Sequence, residues 1–157
     1  MSRSGADLAQ LLLGGFRLLI DQTTAELSAR GYEEIRPAQE FALQAILSGA
    51  DNASDLGRRM SVTKQAAAKT IAALEERNYV GREPDPADKR RMRLYVTEHG
   101  LAMLRDGEEI LAGLREQWEQ QAGAEALAQV ETTLRQLVGN NGGRLDTPAW
   151  LARGLEA

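Results

Sequence analysis

The side chains able to do chemistry in this sequence are mostly cations, and they are bunched. Between Arg58 and Tyr95 stand ten basic residues (Arg58, Arg59, Lys64, Lys69, Arg77, Arg82, Lys89, Arg90, Arg91 and Arg93) and five acidic ones (Glu75, Glu76, Glu83, Asp85 and Asp88). That is a local charge of +5 in a chain of net charge −4, leaving −9 for the remainder. A basic island in an acidic chain is the footprint of a local phosphate contact. A solvated charged surface is the plainer alternative. Catalytic groups are scarce. There is no cysteine, which removes disulfides, thiolate sensing and cysteine-ligated zinc. His99 is the one histidine, so a multi-histidine metal site is removed too. No glycine-rich phosphate loop, clustered carboxylate spacing or nucleophile–base pair stands out, and neither enzyme nor cofactor is expected.

The elements that must position these cations are legible from periodicity. Thr63 is a natural N-cap. After it, Ala67, Ile71 and Leu74 recur at helical spacing and form a buried stripe. That leaves Lys64, Gln65, Ala68 and Lys69 on an outward face. A short helix precedes it, from Asn52 or Ser54 to Met60, with Leu56 and Met60 facing inward. Short helix, turn and exposed helix make the helix-turn-helix pattern. An ordinary amphipathic surface helix would look similar. The segment after Asn78 separates the two. Tyr79 to Glu83 reads as a strand, 84–91 as a turn-rich charged loop, and Met92 to Thr97 as a second strand by alternation. A β-ribbon with a basic tip directly after a helix-turn-helix is a wing. The residue types suit DNA: Lys64 and Lys69 for phosphate or guanine, Gln65 for adenine, Ala68 for a thymine methyl.

The flanks are helical. Apolar residues from Leu8 to Leu27 share a face over 7–30, with Asp7 as cap and Gly31 as terminator. A helix of that length spans on the order of 36 Å, long for a domain this small, which points to a partner chain on part of its face. Arg36-Pro37 opens another helix whose buried face includes Phe41, Leu43, Ala45, Ile46 and Leu47. Thr97 caps a long helix carrying Leu101, Met103, Leu104, Ile110, Leu111, Leu114 and Trp118, and a last helix ends at Val138. Residues 139–143 read as a linker and 147–155 as a short helix. At 157 residues one domain with a real core is expected. No stretch approaches the roughly 18 apolar residues of a membrane span, so a cytoplasmic location is expected.

In the middle third, Asp85-Pro86-x-Asp88-x-Arg90-x-x-x-Leu94-x-Val96-Thr97-x-x-Gly100 resembles the wing pattern of the MarR family of bacterial transcriptional regulators. Ala53-x-x-Leu56, Lys64-Gln65-Ala66 and Leu74-Glu75-x-x-x-Tyr79-Val80 fit the family as well. The resemblance implies a mainly α fold with a small β-wing: a winged helix-turn-helix core flanked by long dimerisation helices. The DNA-binding lobe would cover 36–97, the dimerisation lobe 1–35 and 98–138, and a linker and appendage 139–157. It implies a homodimer on double-stranded operator DNA, acting as a repressor, with a small-molecule effector as a further partner. Thr63, Lys64, Gln65, Ala68 and Lys69 would meet the major groove. Lys89, Arg90 and Arg91 would lie at the minor groove, with Asp88 orienting the Arg90 guanidinium. Phe16, Arg17, Phe41 and Trp118 are candidates to line an effector site, although core packing explains the aromatics more simply. A winged helix that binds protein instead of DNA is the alternative.

Overall fold

Four of the six helices start where the side chain of the N-cap residue takes an otherwise free N–H group. In the computed structural model, which describes residues 4–33 and 35–139, the order is α1 (Gly5–Ala29), α2 (Pro37–Leu47), α3 (Ala53–Met60), α4 (Lys64–Glu76), β1 (Val80–Pro84), β2 (Met92–Val96), α5 (Glu98–Ala122) and α6 (Ala124–Val138). The short helix expected over 147–155 lies outside the described residues. Asn52 Oδ1 accepts the Asp55 N–H at 2.8 Å, Thr63 Oγ1 that of Ala66 at 3.1 Å, and Thr97 Oγ1 that of Gly100 at 3.0 Å. One cap differs from expectation. Ser4 Oγ accepts the Asp7 N–H while Asp7 Oδ2 accepts the Ser4 N–H, both at 3.1 Å. This reciprocal capping box makes Ser4 the cap and Asp7 the third helical residue. Gly31, at φ +93°, carries the chain out of α1 in the left-handed region that glycine tolerates.

The core sits between α2, α3, α4 and the ribbon. Leu43, Leu56, Ile71, Leu74 and Tyr79 are its largest closed side chains, with Ala42 and Ala67 filling between them. The buried residues of α4 are Ala67, Ile71 and Leu74. β1 and β2 pair antiparallel, with Val80 opposite Val96 and Pro84 opposite Met92. β1 begins at Val80 because the Tyr79 N–H closes α4 onto the Leu74 carbonyl at 2.9 Å. Leu47, expected inward, is half-exposed, and so is Met92 at the end of β2.

The helical flanks are less closed. α5 packs its buried Met103, Leu104, Ile110 and Leu114 toward α1 and the lobe. In α1 only Thr23 and Leu27 are buried, and α6 has no buried residue. Leu11 is 74% exposed and Leu137 76%, and Leu8, Leu12, Leu18, Val130 and Val138 are also open. The apolar spacing of α1 therefore marks a face that the described residues do not cover. Among the described residues no helix is long and apolar enough to cross a membrane.

Candidate nucleic-acid interface

Helix α4 presents Lys64, Gln65, Ala68 and Lys69 to solvent, because its apolar stripe is turned the other way. Thr63 is exposed too, with its hydroxyl occupied as the N-cap. On the ribbon, Lys89, Arg90 and Arg91 are exposed at the tip.

Ion pairing sorts the ten cations of the basic segment. Arg58 and Arg59 both pair with Asp55, at 3.1 and 3.3 Å. Arg77 reaches Glu33 at 3.5 Å and Arg82 reaches Glu75 at 2.8 Å. Arg93 donates twice to Glu83 Oε1, its cross-strand neighbour, at 2.9 and 2.7 Å. Arg91 lies 3.7 Å from Asp51. Among the described residues, Lys64, Lys69, Lys89 and Arg90 make no ion pair or side-chain hydrogen bond. The body of the ribbon is thus internally neutralised, and the unspent charge is left on the α4 face and at the wing tip. Four of the five cations singled out by the sequence are these four; Arg91 is the one the fold engages elsewhere.

The acidic residues of the wing are spent on its backbone. Asp85 Oδ1 accepts the Ala87 N–H at 2.9 Å, and Asp88 Oδ1 accepts the Arg90 N–H at 3.0 Å. The Asp85 N–H donates to the Arg91 carbonyl at 2.8 Å, and the Arg91 N–H to the Asp88 carbonyl at 2.9 Å. Asp88 therefore holds Arg90 through the main chain; among the described residues no ion pair joins its carboxylate to the Arg90 guanidinium. The D-P-x-D spacing is turn chemistry that shapes the tip, and the Arg90 side chain is left unoccupied. Between tip and helices runs a groove of about 810 Å³, lined among others by Ser54, Arg58, Lys64 and Arg91.

The lobe is fixed to α5 through Tyr79, which the sequence reading placed in a strand and in a family-like phrase without a structural role, and which stands just before β1. Its hydroxyl donates to the Glu33 carbonyl at 3.2 Å, and its carbonyl accepts the Thr97 N–H at 3.0 Å. Burial pushes the Tyr79 phenol above its ordinary pKa. His99 stacks on its ring at 4.9 Å, and Gly100 packs so closely on its carbonyl that a Cβ there would clash. Thr97 joins the same point, its hydroxyl donating to the Asn78 carbonyl at 2.6 Å. On the other side, Tyr32 donates to Asp106 at 2.8 Å, a bond that raises the Tyr32 pKa, and Arg30 pairs with Asp106 and Glu109.

Of the effector candidates, Phe16 and Phe41 stack with ring centroids 6.5 Å apart, joining α1 to α2. Trp118 Cη2 lies 3.5 Å from where a Cβ on Gly15 would sit, beside Phe16 in α1. Arg17 is exposed on α1. Phe16 thus meets Phe41, whereas Trp118 is placed only against the neighbouring Gly15 of α1.

A helix-turn-helix followed by a two-stranded ribbon, with long helices at either end of the chain, is a winged helix-turn-helix protein of the type built to bind DNA. The comparisons with known proteins narrow the class. Residues 36–91 match the MarR family by sequence. The reduced form of MarR from E. coli has the same fold, with TM-score 0.68 at 22% identity over 88% of this chain and 99% of that one. The transcriptional regulator Tm0710 from Thermotoga maritima aligns with TM-score 0.61 and 24% identity over 86% and 94%. A MepR variant of S. aureus, solved with an oligodeoxyribonucleotide, aligns with TM-score 0.59 and 15% identity over 87% and 97%. No curated protein matches the chain by sequence. Residues 36–91 thus match the MarR family, and the described helices and ribbon have the winged helix-turn-helix fold.

Proposed function

We propose that this chain works as a homodimeric repressor, in which residues 36–97 bind operator DNA and the segments 1–35 and 98–138 hold two such lobes at a fixed spacing. The observation that carries this reading is the pairing pattern. Six of the ten cations in the basic segment are engaged within the chain, and the four without partners among the described residues stand on the exposed face of α4 and the wing tip. α4 enters the major groove, where Thr63, Lys64, Gln65, Ala68 and Lys69 meet phosphates and base edges. The wing lies along the adjacent minor groove, where a narrow A·T-rich stretch attracts Arg90 by its enhanced negative potential, with Lys89 on the flanking phosphates. Half-sites lie one helical turn apart, about 34–36 Å. The uncovered apolar faces of α1 and α6 supply the dimer contact, and DNA occupancy blocks transcription. A small molecule at the joint of α1, α2 and α5, beside Phe16, Phe41, Trp118 and Arg17, releases the DNA by favouring a different separation of the two α4 helices. The MepR variant with its bound oligodeoxyribonucleotide supports the DNA reading by likeness of fold.

The test is recovery of genomic fragments by the purified protein in the presence of excess random duplex. A short inverted repeat common to the recovered fragments is expected; recovery of random sequence, or of none, would contradict the proposal. Gln65→Ala should then relax the preference at one base pair per half-site, by about 1–3 kcal/mol of discrimination. An equal loss on every sequence would count against base readout by Gln65.

A further inference from the structure

Arg91 is the exposed wing-tip cation that the fold does not leave alone. Its backbone is fixed at both ends of the tip turn, by the N–H to the Asp88 carbonyl at 2.9 Å and by the carbonyl that accepts the Asp85 N–H at 2.8 Å. Its guanidinium turns back to Asp51, in the loop between α2 and α3, with Nη2 3.7 Å from Oδ2. Asp51 is held more firmly than Arg91. Its carbonyl accepts the N–H of buried Leu94 at 3.0 Å, and its Oδ1 accepts from Asn52 Nδ2 at 2.6 Å. The carboxylate is therefore preset with Oδ2 toward the wing.

The pair is long and solvent-accessible, with 54% of the Arg91 side chain and 37% of that of Asp51 exposed. Pairs of this kind add little to stability. Its location is more informative. Arg91 lines the groove between helices and wing together with Arg58 and Lys64. Arg58 is engaged by Asp55, and Lys64 has no partner among the described residues. A phosphate entering that groove would meet a free Lys64 and an Arg91 whose charge a neighbouring carboxylate already answers.

We propose that Asp51 is a positioning residue that keeps Arg91 off the DNA, so that the chain binds with fewer phosphate contacts than its wing-tip cations allow. This rests on the DNA-binding reading of the groove. The Asp51 carboxylate stands in for a phosphate oxygen. Because the backbones of both residues are fixed, release of Arg91 requires only rotation of its side chain. Removing the carboxylate therefore adds one phosphate contact per protomer without reshaping the wing. The physical consequence is moderated affinity, which keeps the released state within reach of a regulator.

The experiment is a double-mutant cycle, titrating the recovered genomic duplex, and a random duplex of equal length, across a salt series at constant pH. Asp51→Asn keeps the backbone bond and an Oδ1 acceptor, and thermal unfolding of each variant verifies the fold. Arg91→Ala alone should leave affinity and salt slope near those of the wild type. Asp51→Asn should tighten binding by about two- to fivefold per protomer. It should also steepen the slope of log K against log salt by about 0.9 per protomer. Asp51→Asn combined with Arg91→Ala should return to the wild-type values. An equal gain from Asp51→Asn in both backgrounds would mean that the carboxylate acts only as bulk negative charge, and would overturn the proposal. Weakened or unchanged binding by Asp51→Asn would overturn it as well, as would a lower slope in Arg91→Ala alone. Failure of the wild type to bind either duplex would overturn both this inference and the reading beneath it, and so is distinguishable from the other outcomes.

Discussion

The winged-helix lobe and the helical flanks spend their apolar residues differently. In the lobe, the stripe of α4 and the inward faces of α2 and α3 are shut away by the chain itself, down to Leu43, Leu56 and Leu74 with no exposed surface. In α1 and α6 the same residue types recur at helical spacing and stay in solvent, Leu11 and Leu137 being about three-quarters exposed. A lobe closed by its own residues is a finished part. An apolar face this long, left open by the described residues, is the surface that the proposed dimer would cover. The joint between them, Tyr79 with Thr97, His99 and Gly100, is tight and polar, so a movement in the flanks has a short path to the lobe.

The sharpest way to break this contrast is to cut equally into both regions. Leu74→Ala, in the closed lobe, should cost about 2–5 kcal/mol of stability. Chemical denaturation should show that loss at every protein concentration. Leu11→Asp should leave the lobe folded and act on association instead. We expect the dimer to weaken by about 2 kcal/mol or more, roughly thirtyfold in dissociation constant. Sedimentation velocity across a dilution series measures this, and a dimer unaffected by Leu11→Asp would remove the contrast.

How much of the molecule is visible in its sequence divides along the same line. The α4 stripe, the Thr63 and Thr97 caps and the alternation of β2 depend on local spacing, and local spacing is what a sequence displays. The four unpaired cations are visible as residues, but their freedom is not. It depends on which carboxylates fold against their neighbours, such as Glu75 beside Arg82 and Glu83 across from Arg93. Asp88 illustrates the limit: its place in the motif suggests a carboxylate gripping Arg90, and in the fold it takes the Arg90 main-chain N–H. Asp51 has no signal beyond standing before an N-cap, because its partner lies on an element 40 positions along. The apolar face of α1 is legible, and its cover is not, for a related reason. Helical periodicity reveals an apolar face, but not whether the cover comes from the same chain.

A smaller effect belongs to the flank itself. Glu131 ties α6 to α5 through Arg115, with Nε 2.6 Å from Oε1. The hydrogen bond from Arg115 chiefly holds the Glu131 carboxyl below its ordinary pKa of 4.5. Since the folded value is depressed, the tie is fully present above pH 4.5 and is lost as the pH falls through the depressed value. Acidification below that point should therefore loosen α6 before the lobe, seen as earlier amide exchange in α6. In Glu131→Gln this step should disappear, with α6 exchange no longer changing over that range.

The central claim is that the unpaired cations of α4 and the wing tip meet phosphate. Its most direct test is the salt dependence of operator binding by the wild type and by the variant carrying Lys64→Ala, Lys69→Ala, Lys89→Ala and Arg90→Ala together. The slope of log K against log salt should flatten by about 0.9 for each contact removed on each protomer. A variant that binds with the wild-type slope would contradict the claim.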